Sequence, residues 1–67
     1  MDPRLLRSRM VLCSVSQQEM AESLGLSRSA FYRKMNGASE FTRDEIYKMK
    51  KALQLNDDSL IDIFFKS

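Results

Sequence analysis

The chain has 67 residues, of which 43% are hydrophobic and 30% charged, and its formal net charge is +2. A chain of this length forms one domain with a small core, which we expect to span residues 1–67. It has one cysteine and no histidine, so it lacks the usual ligands of a zinc site and the usual general base of nucleophilic catalysis. We therefore expect no enzymatic activity, metal, cofactor or small-molecule ligand.

Charge is distributed unevenly along the chain. Residues 1–43 carry seven Lys and Arg against four acids, a net +3, whereas residues 44–67 carry a net −1. Such asymmetry suits one face turned toward phosphate and another toward a protein, although inert surfaces also show it. The sequence has neither a run of about 18 apolar residues nor the apolar core of a signal peptide, so we expect a cytoplasmic protein without membrane contact.

The first helix is predicted to begin after Asp2, which serves as its N-cap, with Pro3 at the first helical position. Leu6, Met10 and Cys13 then fall on one face of this helix, which we expect to be buried. Cys13 has no partner for a disulfide within the chain. The simplest interpretation of Cys13 is a small buried hydrophobic residue.

Residues 17–37 predict two short helices joined by a tight turn. Ser16 and Glu19 form a capping box at the start of helix 2, and Gly25 ends that helix with the positive φ that helix C-termini often need. Ser27 is a suitable N-cap for helix 3. Two helices joined so closely must cross steeply, which is the helix-turn-helix pattern. We expect the crossing to bury five apolar residues, namely Met20, Ala21, Leu24, Leu26 and Phe31.

Two further helices are predicted after the loop at residues 38–41. Thr42 and Glu45 form a second capping box that starts helix 4. The inner face of that helix is expected to consist of Ile46, Met49 and Leu53. Asn56 caps helix 5, whose first turn contains Asp57 and Asp58, where the helix dipole favours negative charge. The predicted fold class is therefore all-α, a compact five-helix domain.

Helix 3 divides into an apolar and a polar side when residues 28–36 are placed at intervals of about 100°. Phe31 and Met35 point to the apolar side. The polar side carries Arg28, Ser29, Tyr32, Arg33 and Asn36. A recognition helix in the DNA major groove needs this division, because the residues of its first turn meet base edges there. Outside such a motif, exposed arginines on a short helix are usually solvated surface.

The run from Gln17 to Gly37, QQEMAESLGLSRSAFYRKMNG, resembles the helix-turn-helix domains of lambdoid phage repressors and Cro proteins, a family shared by many small bacterial regulators. The resemblance covers nearly the whole chain. Its matching residues are Gln17, Ala21, Gly25, Ser27, Asn36 and Gly37. The SRSAFYRKMNG segment and the closing IFF are similar to small Cro-like proteins of phages from Gram-positive hosts.

The resemblance implies a lambda-repressor-like fold and a sequence-specific regulator of transcription that binds a double-stranded DNA operator in the bacterial nucleoid. Its residues for base reading are Arg28, Ser29 and Arg33. Its residues for phosphate contact are Gln17, Ser27, Asn36 and Ser39. Gln17 has a separate reason, since the N-terminus of a helix favours a phosphate oxygen. Tyr32, Lys34 and Arg43 are additional candidates for phosphate contact.

Two positions depart from the family pattern. Many relatives carry an apolar residue at position 34 and a glutamate at position 35 that pairs with an arginine at position 10, whereas this chain has Lys34, Met35 and Met10. The two methionines could pack together, and such a replacement of a buried ion pair is often neutral or stabilising. The end of helix 3 would then roll slightly, and Arg33 would meet phosphate instead of a base.

The last helix contains more apolar residues than one of its faces can bury, namely Leu60, Ile61, Ile63, Phe64 and Phe65. Leu60 and Phe64, and likewise Ile61 and Phe65, are four residues apart, so one pair can enter the core while the other faces a two-fold mate. We expect a homodimer with an interface at Ile61, Phe64 and Phe65, which would place two recognition helices about 34 Å apart. Alternatively, all five residues cover a shallow core, or Phe65 lies in a frayed tail.

Three functional interpretations remain open. The leading one is a dimeric Cro-like repressor that acts by occluding its operator, the simplest mechanism for one domain without an effector domain. Regulators of the antitoxin or restriction-modification controller type share the fold. A helix-turn-helix module that binds protein is the third, but its groove would more often be apolar at the centre than basic. The sequence also leaves open whether the chain is complete or the N-terminal domain of a longer repressor.

Overall fold

A computed structural model of the protein describes residues 1–66. In that range the chain forms five α-helices and no β-strand. The helices are α1 (Pro3–Leu12), α2 (Gln17–Ser23), α3 (Arg28–Met35), α4 (Arg43–Ala52) and α5 (Asp57–Phe64). The predicted all-α, five-helix fold is confirmed.

Each helix begins at a side-chain N-cap, and all five caps are the predicted ones. The cap residues are Asp2, Ser16, Ser27, Thr42 and Asn56. Both predicted capping boxes form, because Glu19 and Glu45 each accept a hydrogen bond from the backbone N–H of the preceding cap residue. Since replacing such a cap by alanine costs about 1 kcal/mol, these local bonds contribute substantially to the stability of a small domain.

Three of the four connections between helices share one three-residue scheme, at residues 14–16, 25–27 and 54–56. The first residue has positive φ, the second is apolar, and the third is the next N-cap. In each turn the amide of the apolar residue donates back to a carbonyl in the last turn of the preceding helix, over 2.9 Å. This is the Schellman motif. The sequence predicted positive φ at Gly25, but not at Ser14 or Gln54.

The core is formed by buried apolar side chains from all five helices and from the turns between them. Its members are Leu6, Met10, Met20, Ala21, Leu24, Phe31, Met35, Met49, Leu53, Leu55 and Ile63. Met10 and Met35 therefore occupy one apolar core, as expected from the sequence. Leu26 and Ile46, which were expected to be buried, are half-buried and pack against the core.

Two residues make contacts that the sequence did not predict. Phe41 lies in the predicted loop, and its side chain packs between Phe31 and Phe64, with ring centroids 5.8 and 6.1 Å away. Cys13 was expected to be buried within helix 1, but it is the half-buried C-cap of α1. Its thiol donates to the backbone carbonyl of Leu53 over 3.4 Å. Both contacts join residues far apart in sequence, so local patterns do not reveal them.

The helices are held in pairs. α2 packs against α3 and α1 packs against α5. The backbone N–H of Asp2 donates to the carbonyl of Ile63 over 2.6 Å, which ties the start of α1 to the last helix. Arg9 donates through its guanidinium to the carbonyls of Leu53 and Gln54 at the end of α4. No helix in residues 1–66 combines the length and apolarity that a membrane span requires.

Candidate nucleic-acid interface

The two sides of α3 separate as the helical spacing predicts. Phe31 and Met35 are each only 1% exposed, because they enter the core. The five polar residues expected on the opposite side, Arg28, Ser29, Tyr32, Arg33 and Asn36, are all exposed. Helix α3 therefore presents a continuous polar strip that carries two arginines and no acid.

The N-terminal ends of α2 and α3 form one cleft. Gln17 is the first residue of α2, and it lines this cleft of about 430 Å³ together with Arg28, Ser29, Phe31 and Tyr32. The structure thus brings a predicted phosphate-contacting residue beside two predicted base-reading residues.

Three other residues that were predicted to contact phosphate lie at the two ends of α3, namely Ser27, Asn36 and Ser39. Ser27 is its N-cap, and the hydroxyl oxygen accepts from the amide of Ala30 over 3.1 Å. A serine hydroxyl that accepts a bond can still donate its hydrogen, so capping does not prevent contact with a phosphate oxygen. Asn36 and Ser39 lie at the other end and line a second cleft, which extends to the N-terminus and to the end of α5.

Lys34 is engaged in a contact that the sequence did not predict. Its ammonium Nζ lies 2.6 Å from Oε1 of Glu45, and the two side chains are 15% and 11% exposed. Burial alone would raise the pKa of Glu45. Hydrogen bonds from Lys34 and Thr42, together with the charge of Lys34, outweigh burial and hold that pKa below its ordinary value of 4.5. The ion pair competes with the predicted phosphate contact of Lys34.

Arg43 lies apart from the strip on α3. It is the exposed first residue of α4 and borders a cleft between α4 and α5. The other residues of this cleft are Phe41, Ile46, Tyr47, Lys50, Leu60 and Phe65. The structure therefore groups Arg43 with the surface of α4 and α5 rather than with Arg28 and Gln17.

The apolar residues of α5 divide between the core and the surface. Leu60 and Phe64 pack against the core, whereas Ile61 is 45% and Phe65 66% exposed. This division matches the expected split into an inner and an outer pair, but Phe64, predicted at the interface together with Ile61 and Phe65, belongs to the inner pair because it packs against the core. Tyr47 of α4 borders the same cleft as Phe65 and is 54% exposed, a neighbour that the sequence pattern did not reveal. We call Tyr47, Ile61 and Phe65 the α4–α5 apolar patch.

Residues 1–66 contain no group of three or more His, Cys, Asp or Glu side chains that could hold a metal ion. On α3 the donors are guanidinium, hydroxyl and amide groups, which are the groups that proteins use on phosphates and base edges.

Comparison with known proteins supports this description. The BetR domain matches residues 5–66 of the chain. No curated protein and no solved structure matches it. The BetR match supports a small helix-turn-helix regulatory domain with DNA as its partner. Because the match spans almost all of the sequence, the chain belongs to the BetR domain family.

Proposed function

We propose that the protein is a sequence-specific transcriptional regulator that reads double-stranded DNA with α3. The observation that carries the proposal is the exposed polar strip of α3, opposite the fully buried Phe31 and Met35. A helix anchored by one side can enter a major groove with the other without losing core packing. The proposal includes no catalytic role, cofactor or small-molecule ligand.

Each residue of the strip has a role that suits its chemistry. Arg28, in the first turn of α3, matches the O6 and N7 acceptors of guanine with its planar fork. Ser29 reads the adjacent base edge, and Arg33 lies one turn further along. The groups proposed to hold the phosphates are Gln17, Ser27, Tyr32, Asn36 and Ser39. Phosphate contacts fix the register of the protein on the duplex, whereas base contacts distinguish sequences.

We further propose that the regulator acts as a homodimer through α5. Ile61 and Phe65 expose apolar surface, and Phe64 supports them from the edge of the core. Tyr47 extends this surface onto α4. One short recognition helix contacts few base pairs, whereas a two-fold dimer reads two half-sites in successive major grooves. We propose that such a dimer is a Cro-like repressor, which blocks a promoter by occupying its operator.

The decisive experiment is selection of bound sites from a pool of random duplex DNA. We expect an enriched motif with two-fold symmetry, whose half-sites are about one helical turn apart. The logarithm of its affinity should fall linearly with the logarithm of salt concentration, by about 0.9 for each phosphate contact. If no duplex binds at low salt, the proposal fails and a protein-binding module takes its place. If a motif without symmetry is enriched, the dimer fails while DNA reading stands.

A further inference from the structure

We infer that Lys34 and Glu45 are a positioning pair that sets the orientation of α3 in the major groove, and that Lys34 is not a phosphate contact. The inference rests on the proposed function, because its test measures how well the protein distinguishes DNA sequences. It assigns to this ion pair the alignment of the recognition helix.

The first step is the place of Lys34 in the fold. It lies in the last turn of α3, one residue before the helix ends at Met35. Its Nζ is 2.6 Å from Oε1 of Glu45 and 5.9 Å from the ring centroid of Phe41. The ammonium therefore lies between a carboxylate and an aromatic face, both of which attract a cation.

The second step is the double use of one oxygen atom. Oε1 of Glu45 accepts from Lys34 and also from the backbone N–H of Thr42, over 2.9 Å. Thr42 in turn accepts from the amide of Glu45 over 3.2 Å. The atom that completes the capping box of α4 thus also holds the last turn of α3. A rotation of α3 that moved Lys34 would break the bond between its ammonium and this shared oxygen.

The third step compares this ion pair with the others in residues 1–66. Those pairs join Lys48 to Asp44, Lys50 to Asp57 and Lys66 to Asp62, and each has at least one side chain that is 48% or more exposed. Exposed pairs contribute about 0 to 1 kcal/mol. Both members of the Lys34–Glu45 pair are largely buried, so pulling Lys34 away to a phosphate would leave a buried carboxylate without its cation.

The test uses three variants on the selected site and on a random duplex. In Glu45→Gln the amide oxygen can still accept from Thr42, but the charge that holds Lys34 is gone. The released ammonium should strengthen binding to random duplex and steepen the salt dependence by up to about 0.9. Discrimination between the two duplexes should fall about fivefold or more, the lower limit for one misaligned bidentate base contact.

The second variant, Lys34→Met with Glu45→Gln, removes both charges and keeps an apolar stem against Phe41. Its affinity for random duplex should return to the wild-type value, while discrimination stays reduced. The third variant, Lys34→Arg, keeps a cation for Glu45 and should retain discrimination. Lys48→Met, which breaks only the exposed pair on α4, is the matched control and should leave both affinities unchanged. Circular dichroism confirms that each variant is folded at the assay temperature.

Two results would overturn the inference. A double variant that discriminates as the wild type does would show a purely structural pair. Equal weakening on all duplexes in the double variant, with a salt slope shallower by about 0.9, would make Lys34 a phosphate contact. A wild-type protein without any discrimination would instead contradict the proposed function.

Discussion

Helices α3 and α5 have the same length and the same kind of N-terminal turn, but their exposed sides differ in chemistry. Each has eight residues, begins at a side-chain N-cap and follows a turn of the same three-residue scheme. The exposed side of α3 is polar and basic, with Arg28 and Arg33. The exposed side of α5 is apolar, with Ile61 and Phe65, and its charged residues are all acids. The same local scheme thus leads into two helices with chemically different exposed sides.

The comparison teaches that burial alone does not decide the role of a helix in this fold. Phe31 and Met35 anchor α3 in the core in the same way as Ile63 anchors α5, since all three side chains are at most 3% exposed. What differs is the chemistry on the outside. The basic side of α3 repels a second copy of itself and attracts phosphate, whereas the apolar side of α5 favours protein contact.

The largest effect is expected from a charge placed on the α5 side. Phe65→Asp should turn the dimer into a folded monomer, since it puts a carboxylate into the apolar contact. Operator affinity should then fall on the order of 100-fold or more, because two linked half-sites no longer act together. Sedimentation and a binding titration measure the two changes.

Leu12→Asp is the control for this variant. Leu12 is even more exposed, at 75%, but lies on α1. It should leave the dimer intact. An unchanged dimer in Phe65→Asp would show that the interface lies elsewhere. The assignment of protein contact to α5 and of DNA contact to α3 would then fail for α5.

Next in size is the loss of a base contact on the α3 side. Arg28→Ala should cost about 1 to 3 kcal/mol at the selected site and flatten the base preference at one position in each half-site. Binding to random duplex should be mostly retained. Gln17→Ala, from the same cleft, should instead weaken all duplexes alike, because a phosphate contact carries no direct sequence information. Equal losses on selected and random DNA for Arg28→Ala would contradict its base-reading role.

The turns that lead into the two helices predict a smaller, opposite pair of effects. Gly25 and Gln54 both have positive φ, 71° and 53°. Left-handed backbone costs a non-glycine residue about 1 to 2 kcal/mol. Gly25→Ala should therefore lower the free energy of unfolding by about 1 kcal/mol, since a Cβ there meets nothing within 4 Å and only the backbone is strained. Gln54→Gly should raise it by less than about 1 kcal/mol, because glycine loses more entropy on folding. Thermal melts that moved the same way for both variants would contradict this account.

The smallest effect is confined to acid pH. The pKa of Glu45 is lowered in the folded protein, so its contribution to stability is present above its ordinary value of 4.5 and is lost as pH falls through the folded value. Glu45→Gln should therefore flatten the fall in melting temperature below about pH 5. Asp57→Asn, which breaks the exposed pair between Lys50 on α4 and Asp57 on α5, should leave that profile nearly unchanged. Identical profiles in wild type and Glu45→Gln would show that the buried pair adds no acid sensitivity.

Much of the fold could be predicted from the sequence because its signals are local. A side-chain cap acts within three residues, and the caps at Asp2, Ser27 and Asn56 were readable one by one. The two sides of α3 followed from helical spacing alone. The same spacing separated two pairs on α5, Leu60 with Phe64 and Ile61 with Phe65, but it did not tell which pair is exposed; the structure exposes Ile61 and Phe65.

The features that escaped prediction depend on contacts between distant segments. Lys34 contacts Glu45 only when the loop between α3 and α4 folds back. The same fold of this loop packs Phe41 against Phe31 and Phe64. The positive φ at Ser14 could not be predicted, because serine, unlike glycine, is not a residue type that indicates a left-handed backbone. The exposure of the polar side of α3 could therefore be predicted, whereas the buried contacts of Lys34 and Phe41 could not.

The hydrogen bond between Asp2 and Ile63 has a consequence for the order of folding. It closes a loop of about sixty residues. The entropy cost of closing a loop grows with the logarithm of its length, and the chain loses this entropy before the α1–α5 contact stabilises it. The α2–α3 contact, by comparison, needs only a turn of a few residues. We expect that substitutions in α2 and α3 slow refolding, whereas substitutions at the α1–α5 junction mainly accelerate unfolding.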